Sequence, residues 1–156
     1  MIREYKSEDR EAIERCIFEF HEGERVINPH YWVSSENIAK PYFDYLTKKT
    51  TEGDGKIFVV EIDDKVVGYV AVRIETEDSP RVVQKKRGYV SNIVVLKDFQ
   101  GKVLGGALLK RAEEFSKENS ATYIYLDVTI NKPAVGFYHN QGYIEQSVYM
   151  EKKLNE

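Results

Sequence analysis

Gly88–Phe115 reads GYVSNIVVLKDFQGKVLGGALLKRAEEF, and this stretch decides how the rest of the chain is arranged. Val90–Leu96 is an apolar run rich in β-branched residues and too short for a lone helix. It breaks at Lys97-Asp98 and passes through a glycine-bearing turn. From Leu104 the apolar period becomes helical, with Leu104, Ala107, Leu108, Ala112 and Phe115 on one face. A strand, a tight glycine turn and a helix aim a row of backbone N–H groups and the positive end of a helix dipole at one point. Such a point suits a phosphate.

Spacing narrows the kind of phosphate. A nucleoside-triphosphatase loop needs Ser or Thr after Gly-Lys, and Gly101-Lys102 is followed by Val103. Gly101, Gly105 and Gly106 do not fit G-x-G-x-x-G either. The segment Gln100-Gly101-Lys102-Val103-Leu104-Gly105 is close to Gln/Arg-x-x-Gly-x-Gly/Ala, the pyrophosphate turn of the GCN5-related N-acetyltransferases (GNAT), and Ile93–Phe99 resembles the strand that leads into it. One position departs, since Val103 stands where that family has its middle glycine. An ordinary strand-to-helix turn is the competing reading of the turn alone.

A second stretch, Asn131–Tyr143 (NKPAVGFYHNQGY), resembles the family's signature N-x-x-A-x-x-F/L-Y-x-x-x-G-F/Y, with Asn131, Ala134, Phe137, Tyr138, Gly142 and Tyr143 in place. The hairpin Glu61–Tyr69 also looks like the family's second and third strands. The resemblance covers Lys56–Leu154 well and Met1–Gly55 only in the order of elements.

Length and composition agree with one soluble domain. The 156 residues suffice for a core without staples, and 42% hydrophobic with 31% charged residues is ordinary for a globular protein. A net charge of −3 without an extended basic field argues against nucleic acid as a partner. Cys16 is the single cysteine and falls on the apolar face of a predicted helix, so it reads as a buried structural thiol. His21, His30 and His139 show no metal spacing, and no metal is expected. The start lacks the apolar core of a signal peptide and no run reaches membrane-spanning length, so a cytoplasmic protein without a membrane partner is expected.

The remaining elements follow from period and punctuation. A short strand is predicted at Ile2–Tyr5, and a helix from Ser7 to about Phe20 carries Ile13, Cys16, Ile17 and Phe20. Gly23–Trp32 reads as a loop, and a second helix carries Ile38, Tyr42 and Leu46, begun or kinked by Pro41. Lys56–Ile62 and Val66–Glu75 form a hairpin, and Glu77–Arg87 an exposed loop with the basic cluster Arg81, Lys85, Lys86 and Arg87. Thr122–Ile130 alternates Ile124, Leu126, Val128 and Ile130 against Tyr123, Tyr125, Asp127 and Thr129. A helix over Pro133–Asn140 stops at Gly142, and Tyr143–Leu154 reads as a last strand. The order β-α-α-β-β-β-α-β-α-β is mixed α/β with helices on both faces of one sheet.

The resemblance implies a mostly antiparallel sheet whose fourth and fifth strands splay apart to admit the pantetheine arm of acetyl-CoA, the acetyl donor. Backbone groups of Ile93, Val94 and Val95 would bond that arm, and an N–H near Val94 or Val95 would stabilise the thioester oxyanion. Gln100, Gly101, Lys102, Val103, Leu104, Gly105 and Gly106 would hold the pyrophosphate, with Asn131 and Ala134 lining the other side. Tyr138 would protonate the departing thiolate; its alternative is core packing with a satisfied hydroxyl. The base is less defined. Relatives often place a glutamate on the fourth strand, where Ser91 and Asn92 stand here; Asp127 is the nearest carboxylate by topology, and a relayed water or an already neutral amine would also serve.

The implied activity is transfer of an acetyl group to a primary amine of a small polyamine-like or amino-acid-like molecule. A protein N-terminus or lysine as acceptor, and a catalytically silent acyl-CoA-binding sensor, stand as alternatives. Glu22, Glu24, His30, Tyr31 and Trp32 would suit a cationic acceptor, or else form a solvated loop with Trp32 in the core. Homodimers are common among such proteins.

Overall fold

The computed structural model describes every residue except Gln84, Lys102, Asn131 and Glu156. One five-stranded sheet runs in the order β1 (Ile2–Glu4), β2 (Lys56–Ile62), β3 (Lys65–Thr76), β4 (Lys86–Val95) and β5 (Tyr123–Tyr125). All neighbours are antiparallel except β4 and β5, which are parallel. Four helices flank it: α1 (Arg10–Ile27), α2 (Ala39–Glu52), α3 (Leu104–Glu118) and α4 (Ala134–Asn140).

Strands β2 and β3 are buried on both faces, which their nearly unbroken apolar sequences require. Phe58 lies edge-on to Phe115 of α3, with ring centroids 5.8 Å apart. Its paired residue Val70 shares that face, whereas Tyr69 and Val59, one residue on, point to the α1–α2 side. The hairpin turns on Asp63 and Asp64, both at positive φ (48° and 60°), the backbone that a two-residue turn matched to strand twist demands. Ion pairs from Arg3 to Asp9 and Glu61 tie β1 and the first helical turn to β2.

Several predicted boundaries move. Helix α1 runs seven residues past Phe20, taking in much of the expected loop. The residues added are mostly helix formers, and the helix stops at Asn28, which Pro29 holds out of the α region (φ −139°, ψ 76°). Pro41 is the third residue of α2, where the missing N–H costs no helical bond. Strand β4 begins at Lys86 rather than Val90, so two residues of the basic cluster are strand residues.

Two expectations are corrected outright. The strand expected over Thr122–Ile130 is paired only at Tyr123–Tyr125, because β4 diverges beyond that point. The last strand expected over Tyr143–Leu154 does not form: 144–155 carries no helix or strand, and its residues are exposed. A strand needs an edge to bond to, and the segment leaves Gly142 without reaching one.

Candidate active site

The site is the gap where β4 and β5 part. They pair over Arg87↔Tyr123, Gly88↔Ile124 and Tyr89↔Tyr125, then separate. Its closed end is aromatic. The Tyr89 and Tyr125 rings lie 4.8 Å apart, with the Arg73 and Arg87 guanidiniums 4.5 and 4.7 Å from their centroids. Tyr125 donates its hydroxyl hydrogen to Glu75, and Tyr89 donates to Asp127 at 3.2 Å. Burial pushes the Tyr89 hydroxyl up to about 12, aided by the Asp127 charge. The β3–β4 register shifts between Ala71↔Asn92 and Val72↔Val90, which leaves Ser91 as the extra residue of a β-bulge. Such a bulge bends its strand, and here it falls where β4 leaves β5.

Beyond the bulge, the backbone N–H of Leu96 bonds the Val67 carbonyl, so by strand alternation the main-chain groups of Ile93 and Val95 face the gap and those of Val94 face β3. One gap-facing acceptor is used already: the Val95 carbonyl receives Nε2 of Gln100 at 2.9 Å. Asn92 cannot serve as a base. Its Oδ1 accepts the hydroxyl of fully buried Tyr69, which leaves its amide nitrogen as a donor.

A cavity of about 560 Å³ fills the gap, lined by Val90–Val95, Gln100, Leu126–Thr129, Ala134 and Tyr138. Tyr138 sits on α4 with Phe137 5.1 Å and Tyr143 6.0 Å from its ring. Among the described residues its hydroxyl has no hydrogen-bond partner, and burial pushes it up to about 12. Asp127 also lines the cavity, held by Tyr89. Thus Tyr138, Asp127, Ile93, Val94, Val95, Gln100 and Ala134 meet around one space. Lys102 and Asn131 lie outside the described residues.

Gly101, Val103, Leu104, Gly105 and Gly106 form the turn and first residues of α3, beside the cavity rather than on its wall. The helix has no side-chain N-cap, and its first intrahelical bond runs from the Ala107 N–H to the Val103 carbonyl. The N–H groups of Leu104, Gly105 and Gly106 therefore have no acceptor within the helix. A Cβ on Gly105 would stand 3.3 Å from the Phe137 ring, so glycine there lets α4 close on the turn. Gly101 and Val103 are both left-handed, with φ of 74° and 58°.

Val103 keeps its side chain outward, 87% exposed, so it does not obstruct the turn. A β-branched residue at positive φ is strained, at a cost of roughly 1 kcal/mol or more. Val103→Gly is therefore expected to raise stability by about 1 kcal/mol in urea unfolding, with donor binding undiminished. A loss of stability would show that the valine is not strained.

The α1 side of the cavity brings Glu24, one of the expected acceptor-side residues, together with residues not expected there. Glu19, Phe20 and Glu24 line it from α1, and Lys132 lines it from the opposite loop. The Lys132 ammonium lies 4.4 Å over the Phe20 ring and pairs with Glu24, whose side chain is only 8% exposed. Burial lowers the Lys132 pKa. Glu19 accepts the Lys97 N–H. Phe20 and Glu24 stand at i, i+4 because α1 continues through the expected loop; by sequence Phe20 read only as the end of the apolar helix face. His30, Tyr31 and Trp32 do not line the cavity; Trp32 packs edge-on to Tyr31 and His21 outside the core. Cys16 is buried, with its thiol pushed up to about 12, as expected of a structural thiol.

Comparison with known proteins bears on this geometry. Residues 14–143 match the acetyltransferase (GNAT) family. An N-alpha-acetyltransferase of Sulfurisphaera tokodaii is 34% identical over 115 residues, 69% of this chain and 67% of that one. Streptothricin acetyltransferase A of Bacillus subtilis is 29% identical over 120 residues, which cover 71% of this chain and 64% of that one. Among solved structures, a mutant BH1408 protein of Bacillus halodurans superposes with a TM-score of 0.86 at 23% identity, with 99% of each chain covered.

Proposed function

Because the chain belongs to the acetyltransferase (GNAT) family, we propose that it moves an acetyl group from acetyl-CoA directly to a primary amine of a small polyamine-like or amino-acid-like molecule. The observation that carries this reading is the cavity itself. It joins Tyr138, whose hydroxyl has no partner among the described residues, to walls that include Glu19, Glu24 and Asp127. Carboxylates draw in a cationic amine, and the phenol supplies the proton that a departing thiolate requires.

The donor suits the residues present. The β4–β5 gap offers main-chain groups of Ile93 and the N–H of Val95 to an extended amide-bearing arm, and the start of α3, without a side-chain cap, offers N–H groups to a pyrophosphate. In the reaction the amine nitrogen attacks the thioester carbonyl carbon and the C–S bond breaks. Tyr138 gives its proton to the sulfur, while the nitrogen's proton passes to Asp127, directly or through water. A main-chain N–H of β4 steadies the oxyanion. A phenol near 12 is a weaker acid than a free thiol, but the thiolate forms in the same sheltered cavity, where burial raises its own proton affinity.

A second reading, the α-amine of a protein N-terminus, is favoured by the Sulfurisphaera relative, whose name states that activity. The two readings differ in acceptor, not in chemistry. Release of free thiol from acetyl-CoA is measured across diamines, amino acids and N-terminal peptides. Turnover of diamines or amino acids above peptides supports the small-molecule reading, and the reverse order replaces it. Donor binding without turnover of any amine would favour a sensor.

A further inference from the structure

Glu24 holds a buried carboxylate at the cavity wall, and the cation that faces it is a movable one. The Glu24 side chain is 8% exposed and lines the cavity from α1. A buried charge needs a counter-charge, and Lys132, from the loop before α4, reaches across to supply it. Among the described residues Glu24 Oε1 receives no hydrogen bond, so the contact is a meeting of charges without a directed bond.

Lys132 is held only lightly. Its ammonium has one further neighbour of note, the Phe20 ring, with the nitrogen 4.4 Å from the centroid. Burial lowers its pKa, which means that water solvates this ammonium better than the cavity does. The unbranched four-carbon stem of a lysine can carry the charge out to solvent.

The other two groups stay where they are. Phe20 and Glu24 stand at i, i+4 on α1, so the ring face and the carboxylate are held side by side. That pairing fits an alkylammonium whichever molecule carries it. Glu19, the other acid on this wall, already holds the Lys97 N–H. Tyr138 and Asp127 border the same cavity, so one flexible molecule can occupy both ends of it.

We propose that Phe20 and Glu24 form a socket for the far ammonium of a diamine or polyamine acceptor, and that Lys132 fills it until the acceptor arrives. The inference rests on the small-amine reading above and narrows it to amines with a second positive charge. An incoming diamine exchanges one ammonium for another, so Glu24 is never left unpaired in the buried wall. A monoamine cannot make this exchange while its own nitrogen is at the thioester. The internal lysine therefore competes with the acceptor, and apparent affinity falls by the fraction of time that it holds the socket.

Calorimetric titration in the presence of coenzyme A, which has no acetyl group to give, reads the socket apart from catalysis. Putrescine, cadaverine and spermidine are compared with n-butylamine. At least one of the three should bind wild type about tenfold more tightly than butylamine, the worth of the second ammonium. Lys132→Met removes the competitor and should tighten that amine several-fold. Phe20→Leu keeps an apolar side chain without the ring face, and should bring the ratio to butylamine down towards unity. Equal binding of diamines and butylamine by wild type, absence of binding included, overturns the proposal. Unchanged or weaker diamine binding by Lys132→Met overturns it too, since Lys132 would then be a fixed part of the wall. Because that variant strands Glu24 and could misfold, Lys132→Met/Glu24→Gln removes both charges together. It should show no diamine preference, and a preference retained there overturns the socket. Failure of the small-amine reading shows elsewhere, as no thiol release from acetyl-CoA with any of these amines.

Discussion

Tyr138→Phe should lower kcat by about 10²–10⁴-fold, the usual worth of a positioned general acid, with KM for the donor changed little. The substitution removes one oxygen and keeps the ring that packs on Phe137 and Tyr143. That oxygen has no partner among the described residues, so its loss leaves no buried group stranded and stability should be nearly unchanged. Steady-state kinetics beside urea unfolding separates the outcomes: a fall in kcat at constant stability assigns the proton to Tyr138. Unchanged kcat would remove the residue from the chemistry and return it to core packing. The pH profile adds a sign. Burial holds the hydroxyl near 12, so the acid form dominates below that value. The wild-type rate should therefore show no alkaline decline from this group up to pH about 10.

The largest effect on stability is expected at Leu108. It is 0% exposed on α3, the helix that packs against β2, β3 and β4 and follows the glycine-bearing turn. Leu108→Ala should cost about 2–5 kcal/mol through lost burial and the cavity left behind. For a domain of this size each kcal/mol lowers Tm by about 2–4 °C. Ile130→Ala, at a residue 80% exposed, should stay within about 0.5 kcal/mol. A Leu108→Ala protein as stable as wild type would mean that α3 does not depend on this contact.

What could be read in the sequence has a local cause. The strand-turn-helix at Gly88–Phe115 is visible because a period of two gives way to one of 3.6 within a few residues, and the hairpin because Asp63-Asp64 divides two β-rich runs. Tyr138 and Asp127 were legible for different reasons, one through a motif and one through its place on a predicted strand. Glu19, Phe20 and Lys132 were not legible. Their common cavity depends on how α1 crosses the β4–β5 gap, and no spacing along the chain encodes a distance between elements.

Local pattern and short motifs were enough for the family, for four of the expected strands, for the four helices and for the glycine-bearing turn that opens α3. Tertiary structure alone decided three things. It set the bulge at Ser91, since a bulge exists only in relation to a paired strand. It shortened β5 to Tyr123–Tyr125, since pairing ends where β4 bends away. And it left 144–155 without a partner, although its alternation is that of a strand, because a strand's hydrogen bonds lie on a neighbour that its own sequence cannot supply.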